Sequence, residues 1–73
     1  MISPAKALAI ATDAIAGNVE HRPDDPIEVV RRDDRYVVTF VHVNPPGVRG
    51  ADYDARVTID AGSGEVTEIL AGS

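Results

Sequence analysis

The sequence predicts an α+β domain, one N-terminal helix packed on a four-stranded antiparallel meander, in the order α-β-β-β-β. Three observations carry this reading. Apolar residues recur at helical spacing from Ser3 to about Ala16 and not beyond. The segment Tyr36-Val37-Val38-Thr39-Phe40-Val41-His42-Val43 is dense in β-branched and aromatic residues and free of Gly and Pro. Short turn signals, Asp33-Asp34 and Ala61-Gly62-Ser63-Gly64, divide the later apolar runs at hairpin spacing.

The helix comes first. Ser3 caps its free amides and Pro4 takes the first helical position, where a missing N–H costs nothing. At 100° per residue Pro4, Leu8, Ala11 and Ile15 form one stripe, widened by Ala7 and Ala14. The alanines let the helix approach a sheet closely. Ile10 falls outside the stripe and is expected to be exposed. Gly17-Asn18 supplies a left-handed stop. The connector Glu20-His21-Arg22-Pro23-Asp24-Asp25-Pro26 is polar, and its two prolines favour an extended path.

Ile27–Arg32 reads as the first strand, Asp33-Asp34 as a tight turn and Arg35–Val43 as the second strand. Asn44–Asp52 is the longest loop. Tyr53–Asp60 is the third strand, with Ala55, Val57 and Ile59 on one face and Arg56 and Thr58 on the other. Ala61–Gly64 turns into the last strand, Glu65–Leu70.

The second strand is apolar at both parities, so both of its faces need cover. Tyr36, Val38 and Phe40 are expected under the helix stripe, beside Val57 and Ile59. A slip of one residue in register would exchange the two faces. The opposite face, carrying Val37, Thr39, Val41, Val43, Arg56 and Thr58, is the candidate protein-interaction surface, with Arg31, Arg56 and Glu28 as its polar rim.

Seventy-three residues make one domain, spanning 1–73 and close to the lower size limit for a self-sufficient core. There are no cysteines, hence no disulfides and no thiolate metal site. His21 and His42 stand on different kinds of segment, and neither they nor the Asp24-Asp25 pair has metal-ligand spacing, so no metal and no cofactor are expected. A net charge of −5 argues against nucleic acid and anionic lipid as partners. No apolar window is long enough to insert in a membrane. Nor does Met1–Lys6 resemble a secretory signal, so the expected location is cytoplasmic if Met1 is the natural start and exported if the domain has been excised. Gly62 and Gly64 suggest a phosphate loop, but a strand rather than a helix follows them. The serines lack a nucleophile-elbow context. No catalytic residues are expected, and the chain is read as non-enzymatic.

Ile2-Ser3…Ala7…Ala11, Tyr36-Val37-Val38-Thr39-Phe40 and Val57-Thr58-Ile59-Asp60-Ala61-Gly62-Ser63-Gly64-Glu65-Val66 together resemble a PepSY-type domain. That family combines a helix with regularly spaced small residues and a closing hairpin of this pattern. Gly47, Gly50, Ile59, Asp60, Gly64 and Val66 also resemble small immunity-type proteins of the nuclear-transport-factor (cystatin-like) fold. Both resemblances imply protein binding. The first adds inhibition of a peptidase and brings no catalytic residues. The expected function is therefore a small non-enzymatic protein-binding or regulatory module. Its expected partner is another protein or a second copy of itself, as a homodimer. The alternative is a carrier of a small molecule or peptide in a pocket between helix and sheet.

Overall fold

The computed structural model describes residues 1–72. Helix α1 (Pro4–Ile15) is followed by β1 (Ile27–Arg32), β2 (Arg35–Val41), β3 (Tyr53–Asp60) and β4 (Val66–Ala71). The strands form one antiparallel sheet in sequential order, with α1 across one face. This is the predicted α-β-β-β-β architecture. Among the described residues no helix is long and apolar enough to cross a membrane.

Local chemistry sets the ends of α1. The Lys6 amide donates to Ser3 Oγ at 3.1 Å, and Pro4 opens the first turn. Gly17, at φ +82, ends the helix in the left-handed region that a side chain would disfavour. Ala7 and Ala11 are wholly buried, and Ile15 nearly so. Beneath them lie Tyr36, Val38, Phe40, Ala55, Val57 and Ile59, the parity expected of the core. The unslipped register is thus the one adopted: Val38 pairs with both Val29 and Val57.

Ile10 departs from expectation. It is half-buried and packs against the core, because the β3–β4 turn rises to meet it. A Cβ added to Gly64 would lie 3.3 Å from Ile10 Cδ1, and Ile2 closes on the same point. The chain start is stitched down there too. The Ile2 amide donates to the Ala61 carbonyl at 2.8 Å, and the Tyr36 hydroxyl donates to the Ile2 carbonyl at 3.2 Å. Arg31 is a second correction. Paired with Tyr36, it stands on the helix side of the sheet with its guanidinium 6.0 Å from the Tyr36 ring, away from the rim assigned to it.

The Asp60–Glu65 turn is a hairpin, and its geometry disposes of a phosphate-loop role. Ser63 donates both its amide and its hydroxyl to Asp60 Oδ2, each at 2.8 Å. An internal carboxylate already holds the donors that an anion would need. The Ser63 amide, then its hydroxyl, hold the Asp60 carboxyl below its ordinary value against an upward push from burial, with the smallest contribution, also downward, from the Gly62 amide. Ser63→Ala should therefore raise the Asp60 pKa and leave the fold intact. Carboxyl-detected NMR titration checks this; an unmoved Asp60 titration would contradict it.

Candidate functional site

Two places on the molecule could do chemical or binding work. One is the open face of the sheet. Strand register arranges it in cross-strand rows: Glu28–Thr39–Arg56–Leu70, then Val30–Val37–Thr58–Glu68, then Arg32–Arg35–Asp60. All of these but Asp60, with Thr67, line a groove of ≈ 670 Å³. Val30 and Leu70 are 43% and 40% exposed. Arg56 lies flat on this face, its Nε–H donating to Thr39 Oγ1 at 3.2 Å and its guanidinium 4.7 Å from the Tyr53 ring. That cover explains why Thr39 is buried on an otherwise open surface.

Of the six residues expected here, Val37, Thr39, Arg56 and Thr58 are brought together. Val41, half-buried, pairs with Tyr53 at the end of the ladder. Val43 is not part of the face. β2 stops at Val41 because the Phe40–Val41 step is irregular, and Val43 lines a different depression.

That depression is the second place, and the irregular step creates it. Phe40 pairs with Ala55 and Val41 with Tyr53, leaving Asp54 as an extra residue in β3. A bulge of this kind breaks the two-residue alternation and re-aims a side chain. Alternation would put Asp54 on the open face with Arg56 and Thr58. Instead its carboxylate meets two histidines beside the helix-side core. His21 Nδ1 lies 2.7 Å from Asp54 Oδ2, and His42 Nδ1 lies 2.8 Å from Asp54 Oδ1. The His21 ring stands edge-on to Phe40, centroids 5.3 Å apart, and its Nε2 is 3.2 Å from the Asp25 carbonyl oxygen. The side chains of His21, Asp54 and His42 are 8%, 16% and 39% exposed. Val19, Glu20, Arg22, Asp25 and Val43 complete the walls of a depression of ≈ 590 Å³.

Burial pushes the Asp54 carboxyl up, but hydrogen bonds from His21 and then His42, with the charge of both rings, outweigh it. The net result lies below the ordinary value, and Asp54 is a carboxylate at neutral pH.

The chain matches no family model, no curated protein and no solved structure. Its likeness to PepSY-type and cystatin-like domains therefore rests on the residues quoted above.

The polar cluster was not foreseen. His21 and Asp54 are 33 residues apart, and strand alternation assigns Asp54 to the wrong face. One signal pointed to it: His42 shares parity with Phe40, which places its ring on the helix side of the sheet's end.

Proposed function

We propose that this chain is a small non-enzymatic protein-binding module whose open sheet face docks a second copy of itself. The observation that carries the reading is the chemistry of that face. Its floor holds Val30, Val37 and Leu70, and its charged groups stand unpaired: among the described residues no arginine forms an ion pair with a carboxylate. Arg32 and Arg35 face each other directly across the β1–β2 ladder, a like-charge pair that Asp60, opposite Arg35 on β3, offsets only in part because its carboxylate is held by Ser63.

A second copy answers this pattern. Two sheets stacked face to face, about a two-fold axis lying across the strands, exchange the first and third rows. Glu28 then meets the Arg32 of the other copy, and the Val30–Val37 row meets its own counterpart. Such a self-complementary contact is the geometry of a closed dimer. The carrier alternative finds less support, since the helix–sheet layer is filled by fully buried side chains and both depressions lie elsewhere. The PepSY-type resemblance favours a protein as partner over a small molecule.

Val30→Glu tests the reading. Val30 is exposed, so the fold should persist, while the new carboxylate puts two like charges against each other where the Val30–Val37 rows would meet. Wild type should sediment as a dimer and the variant as a monomer. A wild-type monomer at about 1 mM, where even an interaction of about −4 kcal/mol would be half-saturated, would sink the dimer.

A further inference from the structure

We infer that His21, Asp25 and Asp54 form a binding site for a divalent transition-metal ion of the zinc class, with His42 holding Asp54 in place from outside the ligand set.

The argument starts from the two nitrogens of His21. Its Nε2 faces the Asp25 backbone carbonyl at 3.2 Å, an acceptor for the N–H that a metal-bound imidazole keeps. Its Nδ1 faces Asp54 Oδ2 at 2.7 Å, so the other nitrogen is aimed at a carboxylate oxygen that can share an ion with it.

The surroundings favour a metal ion as a competent occupant. His21 Nδ1, a carboxylate oxygen of Asp54 and one of Asp25 all lie within 4.8 Å of one another. Around a tetrahedral ion with bonds of about 2.0–2.2 Å, donors stand roughly 3.3–3.6 Å apart. The site therefore closes when Asp25 moves in from the connector between α1 and β1 by about 1 Å and the His21–Asp54 contact opens by somewhat less.

A second observation is independent of those distances. Metal-binding imidazoles donate their other N–H to a carbonyl or carboxylate, and metal-binding carboxylates are hydrogen-bonded from behind. Both supports are present. His21 Nε2–H donates to the Asp25 carbonyl, and His42 Nδ1–H donates to Asp54 Oδ1, the oxygen turned away from His21. One nitrogen and two carboxylate oxygens suit Zn2+, Mn2+, Fe2+ or Co2+. Thiolate-seeking Cu+ is excluded, and Ca2+ and Mg2+, which prefer all-oxygen shells, are disfavoured. An ion here would tie the connector to β3 at the bulge.

Calorimetric titration of the whole chain with Zn2+ tests the site. Binding should be stoichiometric. The 15N signal of His21 Nδ1 should shift, and the midpoint of thermal unfolding should rise. His42→Gln should weaken Zn2+ by about 10–100-fold, the usual effect of losing an outer partner. Asp25→Asn should weaken it at least as much, while the neighbouring Asp24→Asn should not; both residues lie on the connector, and amide NMR spectra report whether each variant is folded. Absence of stoichiometric Zn2+ binding, equal binding by the Asp24 and Asp25 variants, or Ca2+ binding as tight as Zn2+ would each overturn the assignment.

Discussion

Phe40→Ala is expected to lower stability by about 3–5 kcal/mol, the usual cost of emptying a buried aromatic site. At roughly 0.05–0.15 kcal/mol per residue, a domain of this size holds about 4–11 kcal/mol in reserve, so the variant should lose a large share of its stability. Phe40 is one of the largest side chains wholly inside the core, with Ile59, Val38 and Val57 as the others. The other core aromatic, Tyr36, is tied by its hydroxyl to the Ile2 carbonyl, and the short alanines of α1 do not fill the space. Phe40 also carries the edge of the His21 ring, so its loss should release the connector as well. Urea denaturation followed by circular dichroism measures the effect. A midpoint shift worth less than about 1 kcal/mol would show that the helix collapses onto the sheet and closes the cavity.

Asp54→Ala should have the next largest effect, roughly 1–3 kcal/mol, the cost of leaving a buried hydrogen-bonding group without its partner. The loss has a definite source. His21 is more than nine-tenths buried, and without Asp54 its Nδ1 loses its hydrogen-bond partner. The same pair predicts a pH dependence. The Asp54 carboxyl is held below its ordinary value of 3.8, so folding gains stability from it above that value. As pH falls through the lower folded-state value, the carboxylate is protonated and the gain disappears. Wild type should lose stability in this acidic window, and Asp54→Ala should lose correspondingly less. Denaturation midpoints at neutral pH and at successively lower pH values compare the two; parallel curves would mean that Asp54 contributes no acid-sensitive stability.

These two residues also mark what was legible in the sequence. Phe40 was placed correctly because regular pairing propagates: once Tyr36, Val38 and Phe40 share a parity, the helix stripe and the third strand determine the rest of the core. The boundaries of β1 and β3 followed from their turns for the same reason. Ile10 was misplaced because a helical wheel sees only its own helix, whereas Gly64 comes from a turn 54 positions further on. Val43 and Arg31 were misplaced for a more local reason. Val43 lies past the end of β2, where alternation no longer applies, and Arg31 was placed without its cross-strand partner. Asp54 was lost entirely, since no property of a single residue announces a bulge, and its histidine partners come from a connector and a strand end.

The bulge has a consequence for how this protein can change in length. Asp54 has no cross-strand partner, while Ala55 and Tyr53 on either side of it keep theirs. Deleting that one codon would leave the pairing of β2 with β3 in step on both sides. The β2–β3 ladder would run without interruption, at the stability cost of losing Asp54, and the carboxylate between the two imidazoles would vanish. A one-residue indel thus separates the inheritance of the scaffold from that of the polar cluster, which a substitution in the shared core cannot do. Lineages descending from such a sequence could shed or acquire the cluster in a single event while the sheet and its open face pass on intact.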